Sequence, residues 1–235
     1  MSAASAALRA SLAEQLASLR EQPADGLPAP LLDITVRRTA LPGGDVLSVL
    51  PADWEALRHD EGGVGRPIPY WARLWPSGLA LARALAADPP PAGARVLELG
   101  CGLAVPSIVA ARAGADVLAT DGVTDAVAFA AHGMALNEVV GDVAHASWTE
   151  HGDALAARGP FDVVLAADVL YTRANVETAL RLLPPLLAPG GVVRLADPGR
   201  AGARDFLAAA RGTFRLSSEE AEGVAIHALR RLNGA

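Results

Sequence analysis

From Arg95 onward the chain alternates short apolar runs with helix-like segments, and this alternation restricts the fold more than any other feature. ARVLEL, DVLAT, DVAHASW, DVVLAA and GVVRLAD read as strands. LAVPSIVAARAG, TDAVAFAAHGMALN and ANVETALRLLPPLL read as the helices that connect them. Strands apolar on both faces and joined by helices form a parallel sheet covered on each side, with right-handed crossovers. AGARDFLAAAR adds a helix, and TFRLSS and VAIHALRRL read as an antiparallel closing ribbon. The expected fold is α/β: a doubly wound sheet of seven strands, mostly parallel, with an antiparallel closing strand.

The N-terminal part reads differently. Leu8, Leu12, Leu16 and Leu19 share one face of a helix. Arg9 and Glu14 interrupt it, so it lacks a signal-peptide core. EQPADGLPAP is a Pro-rich linker, and LLDITVRRTALPGGDVLSVLP is a strand, a turn and a second strand. ADWEALRHD reads as a short helix and EGGVGRPIP as a flexible loop. Trp75-Pro76 opens a further helix, proline being favoured in a first turn. We divide the chain into an extension, 1–68, packed on a larger domain, 69–235.

With 235 residues, 51 % of them hydrophobic, the chain can bury one sizeable core. A formal charge of −6 argues against a grip on phosphate backbones, so no nucleic-acid partner is expected. Every one of the 20 basic residues is Arg, which excludes a Schiff-base lysine and a phosphate-loop lysine. The single cysteine, Cys101, reads as a small turn residue and makes a reducing, cytoplasmic setting the default. No run of about 18 apolar residues points to a membrane span. His132, His145 and His151 lack metal-ligand spacing, and no metal is expected.

The chemistry sits at strand ends. In VLELGCGLAVP, Gly100 and Gly102 fall between a strand and a helix, where backbone can approach a ligand. Asp121 ends the next strand, where an acid can accept bonds from ribose hydroxyls. This Rossmann-like arrangement suits NAD or S-adenosylmethionine (SAM). The third glycine of the dinucleotide fingerprint is replaced by Val105, followed by Pro106. Glu98 points a negative charge at the turn, which would repel a pyrophosphate and suit the ammonium and sulfonium of SAM. SAM is the better match. In FDVVLAADVLY, Asp168 and Tyr171 follow a buried strand, at the sheet end where such folds hold ligands.

PYWARLWPSG, VLELGCG, TDG, Trp148, ADVLY and DPGR together resemble the seven-strand SAM-dependent methyltransferases. Within them, the chain is similar to the protein-lysine and nicotinamide N-methyltransferase-like branch, above all to the methyltransferases of the electron-transfer flavoprotein β-subunit. The likeness covers about 69–200, and W-P-x-G with D-V-L-Y is its selective part.

That resemblance implies roles. Glu98, Gly100 and Gly102 surround the methionine part of SAM, Asp121 its ribose and Trp148 its adenine. Trp75 closes over the cofactor, and Ala167 lines it within ADVLY. Asp168 and Tyr171 are the catalytic candidates, facing the methyl group with an amine between them. Tyr70 and Trp71 are candidate walls of the substrate entrance. Arg200 is a candidate clamp for an acidic group on the substrate or nearby. The implied activity is N-methylation of a protein lysine, with a small amine, pyridine or secondary metabolite as the alternative acceptor. A monomer is expected. The segment after the fourth strand lacks the Pro-Pro of enzymes that methylate nucleobases or glutamine, and no Pro-Cys dipeptide supports attack on cytosine. A SAM-binding module without activity is the alternative from another class.

Overall fold

Residues 3–61 and 68–232 are described by the computed structural model. Most of the expected EGGVGRPIP loop lies outside the described residues. The N-terminal part comprises α1 (Ala3–Leu19), α2 (Ala29–Leu32), β1 (Ile34–Thr39), β2 (Val46–Pro51) and α3 (Trp54–Glu61). A 3-10 turn over Tyr70–Ala72 leads into α4 (Pro76–Ala87). Next come β3 (Arg95–Leu99), α5 (Val105–Arg112), β4 (Asp116–Asp121), α6 (Thr124–Leu136) and β5 (Asp142–His145). They are followed by α7 (Gly152–Arg158), β6 (Phe161–Ala167), α8 (Arg173–Leu186) and β7 (Leu187–Asp197). The chain continues through α9 (Ala201–Ala210), β8 (Phe214–Ala221) and β9 (Val224–Arg231).

The main sheet has seven strands in the order β5-β4-β3-β6-β7-β9-β8. Pairing is parallel from β5 to β7, while β9 runs antiparallel to both β7 and β8. This is the expected architecture. Its central strands carry Val96, Leu97, Val164 and Leu165, all buried, because helices cover both faces. The α7 crossover has no counterpart in the sequence reading. The Pro-rich linker also holds more structure than expected, a 3-10 turn over Ala24–Gly26 and the short α2.

Strands β1 and β2 form a separate antiparallel hairpin. Leu12 and Leu16 of α1 are fully buried in a cluster with Leu31, Leu57, Trp71 and Phe129. Arg20, just past α1, donates from Nε to Asp125 Oδ1 at 2.7 Å, in the first turn of α6. Apolar burial and this charged hydrogen bond together fix the extension against α6. Among the described residues, no helix is long and apolar enough to cross a membrane.

Candidate cofactor and active site

Strand β3 has β4 on one side and β6 on the other, so the sheet grows one way from β3 through β4 to β5 and, after α7, the opposite way from β6. Such a switch point opens a crevice beyond the strands' carboxyl ends. The turn after β3 enters it with Gly100 at φ +66° and Gly102 at φ +51°. A Cβ on Gly100 would lie 2.9 Å from Val169 Cγ1, so the β3 and β6 loops meet there without room for a side chain. Ala104, at φ +54°, then turns the chain into α5.

Asp121, at the end of β4, accepts from Gly102 N–H at 2.9 Å and from Val123 N–H at 2.9 Å. Burial raises its pKa against those hydrogen bonds. The carboxylate therefore shapes the glycine turn while standing at the crevice.

Glu98 requires a correction. It does not present an open negative charge to the turn: it is 2 % exposed, and its Oε2 accepts from both the N–H and the hydroxyl of Ser107. Burial pushes its pKa up to about 8, although Ser107 opposes the shift. Loss of hydration disfavours the carboxylate more than two donors restore it. Ser107 escaped the sequence reading because a serine in a first helical turn carries no distinctive signal.

Asp168 follows β6 with φ +59°, a left-handed conformation that costs a residue with a side chain about 1–3 kcal/mol. Its N–H donates to Ala196 O at 3.0 Å, holding the turn to β7. Its Oδ1 accepts from Arg200 Nη1. The same Nη1 lies 3.4 Å from Asp197 Oδ2, and Asp197 Oδ1 accepts from the N–H groups of Gly199 and Arg200 at 2.7 and 2.6 Å. In D-P-G-R the buried aspartate thus aims the arginine at Asp168. Asp197 was missed as a site residue, although Asp-Pro-Gly is a turn signal. Asp168 does not cap α8; Thr172 does, accepting from Asn175 N–H at 3.1 Å.

The aromatic candidates separate into two groups. Tyr70 and Tyr171 are 49 % and 62 % exposed, with ring centroids 6.5 Å apart. Trp75, the N-cap residue of α4, donates from Nε1 to Tyr70 O at 2.7 Å and stacks edge-on against the Tyr70 ring at 5.9 Å. These three form a rim. Trp71 does not join them: it is 7 % exposed and packs on Phe129 at 4.9 Å. The 3-10 turn sends adjacent aromatic residues in different directions, so Trp71 is core rather than an entrance wall. Trp148, just past β5, is buried in the cluster that includes Leu118 and Leu155. Ala167 ends β6 opposite Ala196 of β7, half-buried beside Asp168. An unforeseen neighbour is Arg73, whose guanidinium lies 4.7 Å from the Trp54 ring and 5.1 Å from the Trp75 ring.

A model of the methyltransferase-domain family matches residues 70–231. The electron transfer flavoprotein beta subunit lysine methyltransferase of Danio rerio is 31% identical over 141 residues, 59% of this chain and 54% of that protein. Histone-arginine methyltransferase METTL23 of Xenopus laevis is 31% identical over 120 residues, 47% of this chain and 49% of that protein. The matches span about half the length of these curated relatives. A solved structure of the T. thermophilus 16S rRNA N2 G1207 methyltransferase, in complex with AdoMet and guanosine, superposes with a TM-score of 0.64 at 19% identity. That superposition covers 90% of this chain and 53% of the other, a likeness of fold.

Proposed function

Since this chain belongs to the methyltransferase-domain family, we propose that it transfers the methyl group of SAM to an amine nitrogen, that of a protein lysine side chain. The observation that carries this reading is Asp168. Its carboxylate is held in left-handed backbone, one residue before the Val169 that meets the Gly100 turn, which supports a role beside the cofactor. Backbone strain of this kind persists where the surroundings enforce it, commonly at functional sites.

The residues present fit the cofactor. The side-chain-free turn at Gly100 and Gly102 gives close backbone approach, Asp121 offers acceptor oxygens for ribose hydroxyls, and Trp75 stands at the rim. SAM, when bound, supplies an electrophilic methyl group on a sulfonium. Asp168 attracts the acceptor amine, and the Tyr171 hydroxyl, three residues on, helps to aim its lone pair. Transfer is an in-line displacement, so alignment contributes much of the rate. The exposed Tyr70 and Tyr171 rings flank the approach with apolar faces suited to the methylene stem of a lysine.

The protein acceptor is favoured by the relatives, both named for methylation of protein side chains. A second reading, an arginine acceptor, is favoured by one observation: Asp168 already accepts a guanidinium, that of Arg200. Tritiated SAM incubated with lysate proteins, and separately with a panel of small amines, distinguishes these readings. Methyl-lysine in the protein hydrolysate is the expected product. Methylarginine alone supports the second reading, and label confined to the small amines contradicts both.

A further inference from the structure

A carboxylate beside an acceptor amine helps binding and hinders chemistry. The amine of lysine has a pKa of about 10.4, so roughly 1 in 2,500 is neutral at pH 7. A neighbouring negative charge makes the neutral form rarer still, and only the neutral form has a lone pair to donate. Here two carboxylates converge at the ends of β6 and β7. Asp168 is mostly covered and Asp197 is buried. Left alone, they would hold an ammonium ion and keep it unreactive.

Arg200 stands between them. Its Nη1 donates to Asp168 Oδ1 and lies 3.4 Å from Asp197 Oδ2, while its own N–H is fixed by Asp197 Oδ1 at 2.6 Å. Backbone and side chain are both held, so the guanidinium is built into the site. With Oδ1 engaged, Asp168 has Oδ2 for an acceptor. We propose that Arg200 is a positioning residue that balances the charge of Asp168, so that the acceptor amine is held there as the neutral nucleophile. This deepens, and rests on, the amine-methylation reading.

The nitrogen lone pair forms the new N–C bond as the C–S bond breaks. Its electron pair stays on sulfur as a neutral thioether, and the surplus proton on nitrogen passes to water. The guanidinium takes no part in these bonds. Its effect is to lower the charge that an ammonium would feel before the step.

Other charged or titratable groups lie on the elements that meet at these strand ends. Tyr171 lies on the loop entering α8. In α9, Arg204 donates from Nη1 to Gly199 O. On β9, His227 bonds Ser218 Oγ at 2.7 Å; burial lowers its pKa against the pull of Asp197. None of these bridges Asp168 to Asp197 as Arg200 does, so the test falls on that residue.

The experiment follows methyl-lysine formation against pH for wild type, Arg200→Met and Arg200→Lys, at saturating SAM and with lysate protein raised until the rate no longer increases, and SAM affinity and thermal unfolding are measured alongside. The acid limb of kcat reports ionisation in the loaded complex. For Arg200→Met, the limb is expected to move up by about one pH unit or more. At pH 7 this is a loss of about tenfold, shrinking as pH rises. Arg200→Lys, which keeps the charge, should recover most of the shift. A loss uniform across pH, or equal limbs in all three proteins, overturns the proposal and leaves amine methylation standing. Absence of methyl-lysine with the wild-type protein removes both.

Discussion

Gly102 N–H donates to Asp121 Oδ2 at 2.9 Å, so the acid expected at the ribose also sets the glycine turn beneath it. Replacing Asp121 by Ala should weaken SAM binding by about 1–3 kcal/mol, as charge-assisted hydrogen bonds are lost. Asp121→Asn keeps one acceptor oxygen and should fall between. Calorimetry showing unchanged affinity in Asp121→Ala would remove this residue from the site.

Glu98 predicts a pH dependence of stability. Its folded pKa of about 8 lies above the ordinary 4.5, so the folded state holds more protons between those values. The contribution is present below about pH 4.5 and is lost as pH rises through about 8, at most roughly 5 kcal/mol. Glu98→Gln, a neutral mimic, should show a shallower fall in its urea midpoint from pH 5 to pH 8. Parallel curves for the two proteins would place the titration elsewhere.

The adjacent residues Tyr70 and Trp71 should respond in opposite ways. Trp71→Ala opens a cavity against Phe129 and should destabilise by about 3–5 kcal/mol. Tyr70→Ala removes an exposed ring and should change stability little, while raising KM for the acceptor. Denaturant titration of both variants, with initial rates for the second, checks the assignment. Similar stability losses would return Tyr70 to the core.

These contrasts mark what sequence can carry. The parallel sheet is legible because each central strand is apolar throughout and each crossover has helical spacing. The α7 segment, GDALAAR, begins with glycine and buries one large residue, Leu155, so it has too little pattern to find. The glycine turn and Asp121 are legible because they end adjacent strands a short distance apart along the chain, where Gly102 N–H reaches Asp121. Arg200 and Asp168 lie 32 residues apart, and their contact depends on β6 and β7 being neighbours in the sheet. The Glu98–Ser107 bond depends on how closely α5 approaches β3. Residue type names the chemistry available; these two contacts decide which charges face the crevice.

Whether Asp168 orients an acceptor amine is decided by Asp168→Asn. With Thr172 serving as the cap of α8, this substitution leaves the helix start intact. The measurement is SAM affinity by calorimetry together with turnover under saturating SAM, on the same preparation. Nearly unchanged affinity is expected, with turnover lower by about 10²-fold or more, the scale of a misaligned reactant. Full turnover in Asp168→Asn would remove Asp168 from the reaction.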